Sequence, residues 1–341
     1  MFTHPVFLVK DGIITDANKA ALDLSVSKGT AVDLIIDAGN DEYKHFDGQT
    51  MSLSIMLNCT HFLCAVVRID GADIFHILSG GESNELRAMA LASQQLRDPL
   101  TSILALVDAL CPQDEEDCPK RKRMAAQLQQ SLHRVLRTVG NMSDAGSCAG
   151  RTFGMETVNI SSVIAEALET SKSLLDEGRI EIQIKNGSGS QTGLADEAYL
   201  SRAVYNLISN AVKYSPAGST IYASLQATGG KVQLTVENDC PDINSDTIGS
   251  MFFRYRRSPS VTDGGAGLGL GIPMIQAVAA MHKGSLLLTL PSPGKIRFCL
   301  TIPIRNEKGI LRSPVMRLDC SGGHDRSLIE LSDILPEHYY E

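Results

Sequence analysis

Apolar residues recur at steps of three and four between residues 86 and 110, and this periodicity constrains the fold more than any other feature of the chain. The positions are Leu86, Met89, Leu96, Leu100, Ile103, Val107 and Leu110. The spacing predicts a long helix with a narrow apolar seam, and a second seam follows at residues 124–142. An acidic stretch with two prolines, residues 111–119, separates them. Because such a hairpin cannot bury both seams alone, we expect a dimeric four-helix bundle.

The segment before the hairpin alternates short β-like runs with polar turns. The pairs Asp11-Gly12 and Asp70-Gly71 lie between apolar runs and are typical of hairpin turns. This pattern predicts a small antiparallel module of strands and short helices over residues 1–80. The helical hairpin is then expected to cover residues 81–147.

The region after the hairpin predicts an α/β domain of ordinary size at residues 155–305, entered through a glycine-containing boundary at residues 146–154. Strand-like runs cover residues 180–184, 220–225, 232–236, 286–290 and 296–302. Helical patterns cover residues 160–175, 197–214 and 272–281. The tail, residues 306–341, is expected either to form one docking helix or to be disordered. The whole chain is therefore predicted to be a multidomain α+β protein.

Composition excludes several classes of function. The formal net charge of −8 leaves no basic footprint for nucleic acid, so we expect no nucleic-acid partner. No run of about 18 apolar residues predicts a membrane span, and the N-terminus lacks the pattern of a signal peptide. The expected compartment is the cytoplasm. The eight cysteines and eight histidines are scattered, which indicates reduced thiols rather than a disulfide framework or a metal site built from side chains alone.

Two motifs point to phosphate chemistry. Residues 264–271 read GGAGLGLG and lead directly into an apolar helix, where close backbone approach and free N–H groups suit a phosphate. A Rossmann fingerprint would follow a strand, whereas this loop follows the polar stretch SPSVTD. The second motif is NLISNAVKYSP, residues 206–216. Its Asn206 and Asn210 share a helix face with Lys213, and such groups suit Mg²⁺ and phosphate.

These motifs resemble the conserved boxes of histidine protein kinases. NLISNAVKYSP is similar to the N box and GGAGLGLG to the G2 box, and MFFRYRR at residues 251–257 resembles the F box between them. His282 and Gly284 match the HxG that follows the G2 helix. The resemblance implies a two-layer α/β sandwich that binds ATP, preceded by a dimerising hairpin. The opening residues 6–24, around Asn18, resemble the start of a PAS sensory domain.

Site residues carried over from the resemblance form a nucleotide-binding set. The set is Asn206, Asn210, Lys213, Tyr214, Asn238, Gly265, Gly267, Leu268 and Gly269. The resemblance implies that Asn210 holds Mg²⁺ and that the glycines wrap the phosphates.

The G1 box departs from the family pattern. In the family an aspartate accepts a hydrogen bond from the adenine amino group, and this chain has Asn238 within VENDCPDI instead. An amide oxygen still accepts, though without charge assistance. Cys240 and Asp242 replace glycines, which adds bulk and a negative charge. We therefore expect ATP and Mg²⁺ to bind with weakened affinity.

The phosphoacceptor motif departs further. Pro99 matches the proline that kinks the family's helix, but Gln94 stands at the histidine position and Gln95 at the position of the neighbouring glutamate. A glutamine amide is neither nucleophilic nor basic, so we expect autophosphorylation there to be lost. Asp98 would repel a phospho-aspartate, which disfavours phosphatase activity. His133, on the second helix, lacks the motif's context and is not expected to substitute.

Three hypotheses follow. The first is a homodimeric pseudokinase that binds ATP and docks on a response-regulator receiver domain or another histidine kinase. The second is an active kinase that phosphorylates a histidine on a partner protein. The third, a serine kinase or ATPase of the wider superfamily that includes anti-sigma factors, is disfavoured because those proteins lack the hairpin.

Overall fold

The computed structural model describes residues 4–46, 50–69, 71–79, 100, 103, 119–147, 154–175, 180–241, 243, 271–305 and 325–340. Several predicted features lie outside these residues: the first seam of the helical hairpin apart from Leu100 and Ile103, the phosphoacceptor motif with Gln94, Gln95 and Asp98, the F box, the glycines at 264–270, and Asp242. Among the described helices, none combines the length and apolar character needed to cross a bilayer.

The N-terminal module is an antiparallel sheet with short helices. Its elements are β1 (Val6–Lys10), β2 (Ile13–Ala17), α1 (Lys19–Asp23), a 3-10 turn (Val32–Leu34), β3 (Ile36–Ala38), α2 (Asn40–Lys44), β4 (Thr50–Leu57), β5 (Thr60–Ile69) and β6 (Ala72–Ser79). The strand order is β2-β1-β6-β5-β4. Asn18 caps α1 by accepting from the Ala21 amide at 3.0 Å and also accepts from the Val6 amide at 3.0 Å. Asp11 and Gly12 both have positive φ, as a tight hairpin turn requires.

The rest of the described chain alternates helices and strands. Its elements are α3 (Pro119–Ser147), β7 (Glu156–Asn159), α4 (Ile160–Leu175), β8 (Glu181–Asn186), β9 (Thr192–Ala195), α5 (Glu197–Tyr214), β10 (Thr220–Thr228), β11 (Lys231–Asp239), α6 (Gly271–Met281), β12 (Ser285–Thr289), β13 (Lys295–Pro303), α7 (Arg326–Glu330) and a terminal 3-10 turn (Glu337–Tyr340). The strand-like and helical patterns read from the sequence of residues 155–305 all correspond to elements in this series.

Helices α4, α5 and α6 share one core with a five-stranded region in the order β12-β13-β11-β10-β8. Alternate residues of β11 are fully buried, for example Val232, Leu234 and Val236. Period-two burial of this kind shows a strand that presents one face to the helices. The region is therefore a mixed α/β layer arrangement, as predicted.

The two regions are joined into one 11-stranded sheet, which the sequence analysis did not predict. Strand β4 pairs antiparallel with β12, in the register Leu286↔Ser52 and Leu288↔Thr50. Gly39 lies at the seam with a φ of +88°, and a Cβ there would be 3.2 Å from the Leu53 Cβ and 3.3 Å from the Ser285 Cβ. The sequence does not predict this contact between residues 1–80 and 155–305, because strand-edge pairing leaves no periodic signal in either segment.

Ion pairs also connect the two regions beside the β4–β12 pairing. Lys231 of β11 pairs with Asp41 at 3.1 Å and with Glu42 at 2.7 Å, both on α2. Lys283 pairs with Asp37 of β3. The N-terminal module thus contacts the α/β region through backbone pairing and through side-chain charge.

Helix α3 carries the predicted second seam, but its burial is uneven. Leu132 and Val139 are buried, whereas Met124, Leu128 and Val135 are 62%, 49% and 43% exposed. Leu132 and Leu136 pack against Ile329 of α7, which follows the α/β region by some twenty residues in sequence. Part of the seam is therefore covered by the C-terminal tail.

Candidate functional site

Helix α5 presents the residues of the predicted N box. Asp196 caps its start by accepting from the amides of Ala198 and Tyr199 at 3.1 and 3.2 Å. The helix ends at Tyr214, and Ser215 is extended because it precedes a proline. Between these ends Asn206 and Asn210 lie one turn apart, so their side chains share a face.

The start of α6 contacts this face. An added Cβ on Gly271, the last glycine of the GGAGLGLG stretch, would lie 3.3 Å from the Asn206 Oδ1 and 3.4 Å from both terminal atoms of the Asn210 amide. A side chain at position 271 would therefore crowd both asparagines. The structure brings the last glycine of one motif beside the asparagines of the other, which are 61 and 65 residues away in sequence.

Asn206 is fully buried and has polar contacts on both ends of its amide. Its Oδ1 accepts from the Arg137 guanidinium at 3.2 Å, and its Nδ2 donates to the Arg202 carbonyl at 3.0 Å and to the Glu330 carboxylate at 3.2 Å. The prediction placed Asn206 beside a nucleotide. In this structure it belongs to a buried polar network.

The other N-box residues are more accessible. Asn210 is partly buried, Tyr214 is 44% exposed, and the Lys213 ammonium donates to the Asp333 carboxylate. Among predicted site residues, Gly265, Gly267, Leu268 and Gly269 lie outside the described part of the chain.

Asn238 stands at the end of β11 with an unused acceptor. Its Nδ2 donates to the Ser215 Oγ at 3.1 Å and to the Asp239 carbonyl at 2.9 Å, while its buried Oδ1 has no hydrogen-bond partner among the described residues. Buried acceptors are usually paired in folded proteins, so this oxygen is a candidate to accept from a ligand. Because the Asp239 carbonyl can only accept, it fixes the amide's orientation and identifies the atom without a partner as the oxygen.

Cys240, two residues later, is compatible with an ordered strand end. It is buried, and its amide donates to the Gly294 carbonyl at 2.7 Å. The loss of a glycine here is therefore accommodated by backbone pairing with the turn before β13.

Four charged residues that the sequence analysis did not select surround the N box. Arg137 of α3 and Arg202 of α5 meet Glu330 and Asp333 from the tail: the Arg202 Nε lies 2.5 Å from Glu330, and the Arg137 guanidinium 2.6 Å from Asp333. Burial alone would raise the pKa of Asp333, but Arg137 and then Lys213 outweigh it and lower that pKa. No local pattern could reveal this cluster, because its members are spread over nearly 200 residues.

His133, considered above as a substitute phosphoacceptor, is also placed beneath the tail. It is buried, its Nδ1 lies 2.8 Å from the Gln129 carbonyl, and its ring centroid is 5.1 Å from that of Tyr340. The sequence analysis treated His133 as an ordinary surface histidine, whereas the structure buries it against the tail.

His282, from the HxG match, has a structural role. Its ring is 2% exposed, its Nε2 accepts from the Asp196 amide at 3.0 Å, and its Nδ1 is 2.8 Å from the Val278 carbonyl that accepts from it. The neutral ring therefore connects the end of α6 to the start of α5. Burial lowers the pKa of His282, and its contacts with Val278 and Asp196 only partly oppose that effect.

The free energy of unfolding is expected to fall as the pH drops below 6.5, the ordinary pKa of histidine. Above that pH the ring is neutral in both folded and unfolded chains. Below it the unfolded chain takes up a proton that the folded chain resists, which costs up to about 1.4 kcal/mol per pH unit. Urea unfolding between about pH 7.5 and pH 5.5 should show this slope, and a shallower one for His282→Gln.

The matched control is His45→Gln, at an exposed position after α2. This variant should show the native slope of the free energy of unfolding against pH. The groups common to the native chain and both variants contribute equally to the slope of each. Equal slopes for His282→Gln and the native chain would contradict the assignment.

Magnesium is the only metal that the residues suggest. Within the described ranges, no group of three or more His, Cys, Asp or Glu side chains is placed to hold a metal ion. Mg²⁺ commonly takes only one or two protein ligands and completes its shell with phosphates and water. The Asn210 amide oxygen, beside the start of α6, fits that requirement.

Known proteins match the same region. Residues 195–306 match the family model described as histidine kinase-, DNA gyrase B- and HSP90-like ATPase. The sensor-like histidine kinase SenX3 of Mycolicibacterium smegmatis is 31% identical over 63% of this chain and 56% of its own length. The sensor histidine kinase CusS of Escherichia coli is 25% identical over 62% of this chain and 44% of its own length. The chain thus spans about half the length of the curated relatives it matches.

Among solved structures, full-length ShkA in complex with AMPPNP has a TM-score of 0.52 and 22% identity, over 67% of this chain and 47% of that one. At that identity the likeness shows the fold. The chain is therefore similar to sensor histidine kinases over part of its length, and residues 195–306 match the ATPase-like family model.

Proposed function

We propose that this histidine-kinase-type chain is a two-component signalling protein that binds ATP with Mg²⁺ but does not phosphorylate itself. The observation that carries the proposal is the close approach of Gly271 to Asn206 and Asn210, where an added Cβ would lie 3.3 to 3.4 Å from their amide atoms, so that the end of the glycine motif lies beside the N box. The matches to sensor histidine kinases and their ATPase-like domain support the same conclusion.

Each site residue has a distinct task in this proposal. The free Asn238 Oδ1 accepts from the exocyclic amino group of adenine, and Ser215 keeps that oxygen in place by accepting from the Asn238 Nδ2. Asn210 supplies one oxygen to Mg²⁺, and the metal neutralises charge on the phosphates when it is bound. A neutral amide replaces the family's carboxylate at position 238, so affinity is lower than with a charged acceptor.

The chain's own phosphoacceptor is absent on chemical grounds. Forming an N–P bond needs a nitrogen lone pair, and the lone pair of the Gln94 amide nitrogen is delocalised into its carbonyl. Gln95 cannot accept a proton at neutral pH. Nucleotide then acts as a conformational ligand, which stabilises one arrangement of the chain by binding it more tightly.

The partner is proposed to be a response-regulator receiver domain or another histidine kinase, engaged by a homodimer formed through the helical hairpin. The module at residues 1–80 is proposed to be a PAS-like sensor, supported by its antiparallel strand order and by Asn18 at the first helix. A cytoplasmic location stays a prediction from the sequence.

A second candidate function is transfer of phosphate from ATP to a histidine on a partner protein. The juxtaposed N box and α6 start favour it, because a chain that never uses ATP has no need of both motifs. The two functions differ in one observable: only the second yields a labelled partner when ATP and candidate kinases or receivers are mixed with the protein.

The proposed function is tested by calorimetric titration of the full chain with AMP-PNP and Mg²⁺, beside Asn210→Ala and Asn238→Ala. We expect binding by the native chain. Asn210→Ala should weaken it by about 100-fold, since it removes the protein's ligand to the metal, and Asn238→Ala by about tenfold, since it removes one hydrogen bond to the base.

Asn186→Ala is the matched control, because Asn186 lies at the end of β8, where its side chain accepts from the Ser188 amide and hydroxyl. It should bind as the native chain does. Failure of the native chain to bind would overturn the proposal, as would equal binding by the native chain and Asn210→Ala.

A further inference from the structure

The C-terminal segment, residues 325–340, docks on α3 and α5 through apolar anchors. Ile329, Leu331, Leu335 and Tyr340 are each less than a tenth exposed. Leu331 and Leu335 join the core of the α/β region, and Ile329 packs with Leu132 and Leu136 of α3. The segment starts with a capped helix, since Asp325 accepts from the Ser327 amide at 2.8 Å. These contacts define one bound position for the segment.

Helix α3 also binds the backbone of the segment. The Gln130 amide donates to the Leu335 carbonyl at 2.7 Å, and the Arg134 Nε donates to the Ser332 carbonyl at 3.1 Å. Carbonyls at the turn after a short helix lack partners within the helix, so these donors satisfy them. The segment is therefore held by specific polar contacts in addition to its apolar anchors.

Two carboxylates of the segment face the N box. Glu330, 3% exposed, contacts the Arg202 Nε at 2.5 Å and the Asn206 Nδ2 at 3.2 Å. Asp333 contacts the Lys213 ammonium and the Arg137 guanidinium. A buried carboxylate needs cationic or hydrogen-bonding partners to remain charged, and here most of those partners are N-box residues or lie against them.

A nucleotide and the segment require the same donors. The family resemblance places Asn206 and Lys213 in the nucleotide-binding set, and in this structure both donate to carboxylates of the segment. The Lys213 ammonium and the Asn206 amide cannot donate fully both to the carboxylates of the segment and to a nucleotide. A triphosphate placed against Glu330 and Asp333 would also be repelled by their negative charges. Occupancy of the two positions is therefore coupled.

We propose that the C-terminal segment is an intramolecular competitor of the nucleotide. Its carboxylates take the anion positions of the N box when nucleotide is absent, and ATP displaces them. Release of the segment also uncovers the donors of α3, namely Gln130, Arg134 and Arg137, so that nucleotide binding changes the exposed surface of the predicted dimerisation hairpin. This inference rests on the proposed ATP binding.

The test compares nucleotide affinity in full-length variants. The double variant Glu330→Gln, Asp333→Asn should bind AMP-PNP with Mg²⁺ about tenfold more tightly than the native chain, within the range usual for coupled sites. Glu337→Gln is the matched control, because it removes a carboxylate from the same segment at an exposed contact with Gln127. It should leave the affinity unchanged.

The outcomes separate this inference from the proposed function. The native chain could bind nucleotide and the double variant could bind it equally well or more weakly. That result would overturn the competitor role but not the proposed ATP binding. Absence of binding by every variant would overturn both. If the double variant does not fold, judged by circular dichroism, Leu335→Ala replaces it, since that change loosens the segment from its apolar side and should also tighten binding.

Hydrogen exchange on the native chain gives an independent measurement. Amides of residues 329–335 donate within the docked segment, for example from Leu331 to the Ser327 carbonyl at 2.9 Å. Saturating AMP-PNP with Mg²⁺ should increase their exchange rate, whereas amides of β11 should keep theirs. Unchanged protection of the segment at saturation would contradict displacement.

Discussion

Gly284→Ala is expected to lower the free energy of unfolding by about 3 kcal/mol or more. An added Cβ would lie 2.0 Å from the Thr301 carbonyl oxygen, a distance that non-bonded atoms do not reach. Thr301 pairs with Ser285, the residue after Gly284, where β12 joins β13, so neither backbone can move far without disturbing that strand pairing. The HxG glycine is therefore required for packing.

The end of α6 explains why glycine stands at this position. The Gly284 amide donates to the Ala279 carbonyl at 2.8 Å and the Lys283 amide to the Ala280 carbonyl at 3.0 Å, the two hydrogen bonds of a Schellman motif. The left-handed residue of that motif is Lys283, with φ of 59°. Glycine usually fills the left-handed position, but here the approach of Thr301 requires it one residue later.

Urea unfolding measures the change in the free energy of unfolding. It is followed by far-UV circular dichroism, because the chain has no tryptophan whose fluorescence could report unfolding. Gly187→Ala is the control: a Cβ at Gly187 would come no closer than 3.8 Å to another atom. That variant should stay within about 0.5 kcal/mol of the native chain. Similar losses for both glycines would contradict the assignment of the effect to the clash with Thr301.

Restoring the phosphoacceptor pair is expected to produce the largest change in activity. The double variant Gln94→His, Gln95→Glu should take up phosphate from ATP with Mg²⁺, whereas the native chain takes up none. An imidazole supplies the nucleophilic nitrogen, and a neighbouring carboxylate accepts the proton released from it. Labelled ATP followed by gel separation measures incorporation, and the label should survive alkali and be lost in acid, as an N–P bond is.

Two further variants serve as controls for the labelling experiment. Gln95→Glu alone should stay unlabelled because it lacks a nucleophile. Asn210→Ala in the restored background should lose the label if ATP is held as proposed. Label on the native chain would contradict the loss of self-phosphorylation. A restored variant that binds nucleotide but takes no label would place a further block at Asp98 or in the altered G1 box.

The sequence was sufficient for elements whose signal is local. Apolar runs predicted β10 through β13, and helical periodicity at residues 160–175 and 197–214 predicted α4 and α5 at their observed bounds. The N box and the G2-like glycines were predicted to share one nucleotide site. Of those glycines' motif only Gly271 is described, and it lies beside Asn206 and Asn210. The chemistry of Gln94 and Gln95 likewise needs only residue identity.

Contacts between distant segments needed the tertiary structure. The pairing of β4 with β12 depends on which strand edges remain open, and an edge has no signature in the order of side chains. The tail could not be assigned to a docked or a disordered state, because a short apolar segment is ordered only when a matching surface exists.

The sequence by itself therefore predicted a class of chemistry, through residues such as Asn210 whose proposed role rests on residue type and spacing. The tertiary structure alone decided which groups surround that site. Arg137, Arg202, Glu330 and Asp333 come from three separated segments, and their charges become a buried network only when folding removes the water between them. Burial and proximity are properties of the folded chain, and periodicity in the sequence does not encode them.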